Sequence, residues 1–540
     1  MSGKEGVYMK KILIRGGLLV DGSGAPARYG NVLAEGGRIL SVGEEEGPAD
    51  EVIEAGGRVV CPGFIDIHRH CDAKFLEPGD FGRVMLAQGI TTTVVGNCGM
   101  SLTPSPKDSA GMYSFMEAVL GSGCGELGLH AYRDYLKALD AKPLPVNAAS
   151  MVGTGSVKIT VKGFSSAPYT PKELEKAAAL IEDALEAGAV GVSCGIMYIP
   201  ECYSSASEFA AILKPLGKAG RTLTAHIRGE GDSLVPSVRE IIGIGREAGC
   251  PVEISHFKSC GMENWRRGIH EAIALIEEAR AAGQDVTCDF YPYEGGSTAL
   301  TTMLPPSFVA GDMDGALRRL GTKEGVAQFR EAAAVRYPDW DNYAVTLGWD
   351  RILISGVAAE ENRPFIGLNV EEAAEKFGFA DAAACAAHLM HTDGGKTAII
   401  NMSMCQDDID TVARLPYSIV ISDSIYADTD TPHPRMYGSF PKIIREYVRE
   451  RGVLTLEQAV AKMTSLPARR MGLAGRGVLQ AGAYADILMF DPARFCDRAT
   501  FASPTLPAEG LDLALLNGET VWKDGAPTGV FAGRRLTAGK

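Results

Sequence analysis

The sequence predicts an α/β protein: a (β/α)8 TIM-like barrel carrying a small β-sandwich domain formed from both termini. Apolar, β-rich runs alternate with Ala- and Glu-rich helical stretches through the middle of the chain. Those runs are apolar on both faces, the mark of parallel strands covered by helices. The two ends have a different texture, short strands and Gly-rich turns with no helical period between them.

In chain order, the first 60 residues hold strand runs at 12–14 and 18–20, flanking Gly16-Gly17, then at 32–34, 39–42 and 59–60. The C-terminal runs at 487–490, 511–516 and 520–522 match them in kind, so 1–62 plus 474–540 is expected to form one unit. Within 63–473 the strand runs are 64–68, 91–95, 146–152, 189–193, 222–226, 252–256, 286–291 and 417–423. Helical stretches such as 171–187 and 265–282 separate several of them. Eight βα repeats suit a closed barrel better than an open sheet. Two further β-like runs, 352–357 and 398–404, exceed that count and are placed with an insertion near 304–345 at the barrel mouth.

The chain has 540 residues, 46% of them apolar and 22% charged, which is a globular composition long enough for a large barrel with satellites. Its net charge of −14 argues against nucleic acid or an anionic membrane as partner, since either needs a broad basic surface. Twelve cysteines without CxxC pairs fit a reducing compartment. Arg15, Gly16 and Gly17 interrupt the early apolar residues, and no apolar run is long enough to span a bilayer. A cytoplasmic location is expected.

The sharpest local signal is Phe64-Ile65-Asp66-Ile67-His68-Arg69-His70. Strand alternation puts Asp66, His68 and His70 on one face, so two imidazoles at a strand end can share one cation. An isolated His-x-His pair is as readily a pair of hydrogen-bonded surface side chains. Here, however, His226, His256, Cys98 and Asp423 also end or closely follow predicted strands. Singly, Cys98 reads as a small buried apolar group and Asp423 as a helix cap. Six ligand-type residues at strand ends converge on one rim of a barrel, where active sites lie. The candidate metal ligands are therefore His68, His70, Cys98, His226, His256 and Asp423.

The combination resembles the amidohydrolase superfamily and, within it, the N-acyl-D-amino-acid deacylases (D-aminoacylases). The resemblance runs along nearly the whole chain. It includes Val60 to His70, Gly89-Ile90-Thr91-Thr92, Gly96-Asn97-Cys98-Gly99, Gly188 to Ser193 and His226-Ile227-Arg228. Ile254-Ser255-His256-Phe257-Lys258, Asp289 to Tyr293, Ser422-Asp423, His433 to Gly438 and Ala483 to Asp486 complete it. It implies a tight zinc site of Cys98, His226 and His256 and a weaker second one of His68, His70 and Asp423. Cys98 takes the place where other members use a carbamylated lysine. It further implies Asp423 as general base and then acid, and Lys258, Tyr291, Ser297 and Arg435 as holders of the substrate's α-carboxylate. The implied partner is a small-molecule N-acyl amino acid; the D configuration rests on the resemblance alone.

Some residues depart from the family pattern: Cys71-Asp72 after His70, Gly229, Ser424, and an acidic loop over 426–431. Two other readings stand beside the first. One is hydrolysis of a cyclic amide, such as a hydantoin, or of a dipeptide, against which Cys98 weighs. The other is a non-catalytic scaffold, against which the full ligand set weighs.

Overall fold

The computed structural model describes residues 10–539 apart from 78, 80, 122–123, 339 and 427–430. Eight parallel strands form the expected barrel: β1 (Phe64–Asp66), β2 (Ile90–Val95), β3 (Asn147–Ser150), β4 (Gly191–Gly195), β5 (Thr222–His226), β6 (Val252–Ile254), β7 (Val286–Phe290) and β8 (Ser418–Val420). β1, β2 and β3 pair in order, and the short continuation Val152–Gly153 carries the ladder on to β4. β4 to β8 follow in sequence. Arg69–His70 pairs with Ser424–Ile425, so the continuations of β1 and β8 close the ring. Every strand residue of β2, β3, β4, β5 and β6 is buried, as a barrel wrapped in helices requires.

Helices form where capping and period agree. Pro171–Ala187 starts on Thr170, whose hydroxyl accepts from Glu173 N while Glu173 answers the Thr170 N–H, and Pro171 supplies the preset first φ. Its Ala177, Ile181, Ala184 and Leu185 face the core.

The first strand departs from simple alternation. Asp66 does not project with His68 and His70; it accepts from Arg69 Nε (3.0 Å), Ser422 N (3.1 Å) and His68 N (3.3 Å). The backbone turns around this buried carboxylate, interrupting the strand after Asp66. The runs expected at 12–14 and 18–20 are likewise one strand, Lys11–Leu19, with a register shift between Ile14 and Gly17. Gly16 takes φ +68° there, a bulge that glycine makes without steric cost.

Strands of both termini enter one nine-stranded sheet. Val59–Pro62 is its meeting point, parallel to Lys11–Leu19 on one side and antiparallel to Ile487–Phe490 on the other. Ile12, Ile14, Val32, Ile487, Leu513 and Leu515 belong to its core. A buried polar joint ties this sheet to β3. Asp486 pairs with Arg476, accepts from Asn517 N (2.7 Å) and lies 3.3 Å from Asn147 Nδ2. Asn517 Nδ2 donates to Asn147 Oδ1 (2.8 Å).

Between β7 and β8 the chain leaves the barrel. Gly296–Ala299 and Ile352–Gly356 flank Ala398–Asn401 in an antiparallel sheet, and helices including Lys323–Ala333 and Ala382–Thr392 cover it. This segment has a core of its own, with Phe329, Ile354 and Leu389 fully buried. The runs expected at 352–357 and 398–404 fall in it, but it starts earlier than the stretch expected near 304–345, because its first strand, Gly296–Ala299, precedes that stretch. Among the described residues, no helix is long and apolar enough to cross a membrane.

Asp486→Ala leaves the buried Arg476 guanidinium without its carboxylate. Such uncompensated charges cost about 3–5 kcal/mol, so the urea midpoint should fall clearly; an unshifted midpoint would refute the joint.

Candidate active site and metal centre

All six candidate ligands lie at the C-terminal rim of the barrel, and none is more than 7% exposed. Cys98 is at their centre. Its Sγ stands 3.2 Å from His68 Nε2, 3.6 Å from His256 Nε2 and 3.8 Å from His226 Nδ1. Asp423 Oδ1 faces His68 Nε2 (3.4 Å) and His70 Nε2 (3.5 Å). The donors fall into overlapping groups, His68/Cys98/His256 and His68/His70/Asp423, with His226/Glu230/His256 beside them.

The local backbone explains how these side chains reach the axis. Cys98, His256 and Asp423 have φ of +54°, +35° and +50°, which non-glycine residues rarely adopt. At each strand end the chain turns sharply and aims its side chain inward. The Cys98 turn is flanked by Gly96 and Gly99 at φ +79° and +73°, both tight against neighbouring atoms. Ser193 on β4 fastens it from both sides: its Oγ donates to Gly96 O (2.5 Å) and accepts from Gly99 N (3.0 Å). Asp423 N donates to His68 O (2.9 Å), holding the two halves of the second group together.

Electrostatics bind the cluster further. Burial alone would discharge Cys98, but His68, His226 and His256 hold its thiol well below the ordinary range. Burial opposes charge on His68 too, and the Cys98 and Asp423 anions raise it well above the usual imidazole value. Asp423 is held well below the carboxylate range against burial, by Arg435 first (Nη1 to Oδ2, 2.6 Å) and then by His68. His256 Nδ1 lies 2.9 Å from Glu230 Oε1, leaving its Nε2 toward Cys98. Glu230 also takes Lys258 Nζ at 2.5 Å. Asp289 accepts from His256 N and lies 3.8 Å from His68 Nδ1.

The donors suit a zinc ion. Ligand atoms around zinc at ~2.0–2.3 Å stand about 3.3–3.7 Å apart, and the sulfur-to-nitrogen separations at Cys98 are 3.2 to 3.8 Å. Thiolate, imidazole and carboxylate are the donor types that a buried zinc ion accepts.

Of the residues expected to hold substrate, Lys258, Tyr291, Ser297 and Arg435 all line the same cavity. Arg435 sits 4.8 Å from the centre of the Tyr291 ring and 3.5 Å from Ser297 O, and Lys258 lies 6.0 Å from that ring. Gly296, Thr298, Tyr343, Asn401 and Ser403 also line it, so the segment between β7 and β8 builds one wall. Asp341 pins that segment down by accepting from Glu230 N and from Gly231 N (2.7 Å) and Ser233 N (3.1 Å).

A family model described as "Amidohydrolase family" matches residues 51–265 and 320–528. The chain belongs to the amidohydrolase family. Within it, the chain is 34% identical over 521 residues to the N-acyl-D-glutamate deacylase of Alcaligenes xylosoxydans xylosoxydans, covering 96% of this chain and 94% of that one. To the D-aminoacylase of the same organism it is also 34% identical, over 97% of both chains. The solved N-acyl-D-glutamate deacylase from Bordetella bronchiseptica, complexed with zinc and a phosphonate inhibitor that mimics the tetrahedral intermediate, superposes with a TM-score of 0.82. That match is at 34% identity and covers 98% of this chain and all of that one. These matches place this amidohydrolase among the N-acyl-D-amino-acid deacylases.

Sequence reasoning missed the supports of this site. Glu230 follows His226 by four residues, but nothing local marks it as the partner of His256 and Lys258. Ser193 and Asp289 act through backbone groups that only the fold brings near. Most of the acidic loop expected over 426–431 lies outside the described residues.

Ser193→Ala removes both fastenings of the Cys98 turn. Losses of such outer supports weaken metal sites about 10- to 100-fold, and chelator competition should show zinc binding reduced to that degree. Undiminished affinity would remove Ser193 from the account.

Proposed function

We propose that this chain is a zinc-dependent hydrolase of N-acyl-D-amino acids, giving a carboxylate and the free D-amino acid. Zinc would be held tightly by Cys98, His226 and His256 and more weakly by His68, His70 and Asp423. The observation that carries the reading is the Cys98 sulfur ringed by three buried histidines, with Asp423 across the same cluster. When bound, zinc lowers the pKa of coordinated water from ~15.7 toward ~7 and polarises the amide carbonyl.

The chain's own residues do the rest. Asp423, kept ionised by Arg435, takes the proton of the attacking water at its carboxylate. It then delivers that proton to the departing nitrogen, which is a poor leaving group until protonated. Arg435 and Lys258, with Tyr291 and Ser297, hold the α-carboxylate at the inner wall. Glu230 keeps the His256 ring in one orientation and Lys258 charged. Burial of the charged groups among these excludes bulk water and strengthens each charge interaction.

The natural setting we infer is the cytoplasm, where the twelve cysteines, none disulfide-bonded, stay reduced.

The direct test assays zinc-reconstituted enzyme on matched N-acetyl D- and L-amino acids. Turnover of the D series is expected, and preference for the L series would overturn the assignment. Asp423→Asn should keep zinc at the Cys98 group while lowering kcat by about 10²–10⁴-fold. A near-normal kcat would refute the acid/base role.

A further inference from the structure

Resting on that reading, we infer that the side chain of the natural substrate is uncharged and apolar, as in N-acyl derivatives of D-methionine, D-leucine or D-phenylalanine, rather than acidic or basic. Equal identity to relatives with different substrates leaves this undecided; the charge balance of the cavity decides it.

Apart from the histidines, the cations lining the cavity among the described residues are Lys258 and Arg435. Both are buried and each already faces a carboxylate, Glu230 at 2.5 Å and Asp423 at 2.6 Å. An N-acyl amino acid brings one α-carboxylate, which these two cations accept. A second carboxylate, from a D-glutamate or D-aspartate side chain, would find no third cation. None of the internal residues outside the described set is a lysine or arginine, so none can supply one. A basic side chain fares no better, because the carboxylates that line the cavity among the described residues, Glu230 and Asp423, are each already paired with a cation. The remaining wall offers Met100, Val119, Met197, Tyr198 and Ile425, with Thr298 and Asn401 as neutral polar contacts. Such a surface gains from apolar contact and penalises an unpaired charge.

The test measures kcat/KM of the zinc enzyme for the N-acetyl derivatives of D-methionine, D-leucine, D-phenylalanine, D-glutamate, D-aspartate and D-lysine, with L-methionine beside them. The apolar D substrates are expected to exceed the charged ones by at least about 100-fold, the scale of an unpaired buried charge. A charged D substrate within tenfold of D-methionine, or ahead of it, overturns this inference and leaves the deacylase reading standing. Turnover confined to L-methionine removes the deacylase reading and this inference with it.

Discussion

The site depends on one costly arrangement, an ionised sulfur and a carboxylate buried among four histidines. Removing such groups from water is unfavourable unless opposite charges or a metal compensate. In this chain the compensation is mutual: the Cys98 and Asp423 anions favour charge on His68, and His68 favours charge on them. A divalent cation held by these donors would supply the same compensation. The residues stand close together while no more than 7% exposed.

The fold exists, in this sense, to hold that cluster open. Three of the candidate ligands occupy left-handed backbone positions, a conformation that must be enforced by surroundings. Ser193 enforces it at Cys98, Asp289 at His256, and the His68 carbonyl at Asp423. Each support comes from a different strand or strand end. The closed barrel is therefore also the device that lets distant strands brace one another, and the Asp486 joint extends the bracing to the terminal sheet.

Much of this was legible in the sequence, and the reasons are physical. Parallel strands buried on both faces leave continuous apolar runs, so β2, β4, β5 and β7 could be located within a residue or two. Helices with capping boxes, such as Pro171–Ala187, announce their own ends. The clustering of the candidate ligands was legible because histidine, cysteine and aspartate at strand ends are few and chemically distinctive. Period-2 alternation, in contrast, misplaced Asp66, because a buried carboxylate with four donors around it can bend a strand. Glu230, Ser193 and Asp289 were illegible because their partners are backbone groups or side chains on other strands, and one sequence records no such pairing. The early start of the segment between β7 and β8 was obscured for a related reason: Gly296–Ala299 pairs with a strand about a hundred residues away.

Charge pairing in the cavity links catalysis to recognition. Arg435 already pairs with the Asp423 carboxylate, and in the proposed reaction it would also take the substrate's α-carboxylate. A guanidinium can satisfy both because it presents five donors in a plane, whereas a lysine there would have to choose. In that reading, sharing Arg435 would loosen its hold on Asp423 as substrate binds and would make that carboxylate a better proton acceptor. Lys258 repeats the pattern with Glu230, and it reaches His256 both through Glu230 and directly, its Nζ 2.7 Å from His256 Nδ1. On the proposed reading, an anionic end would be bound by the same two cations that face Asp423 and Glu230. The rest of the substrate would meet a wall whose described residues have no charge to spare, so the cavity would read one end by electrostatics and the other by contact.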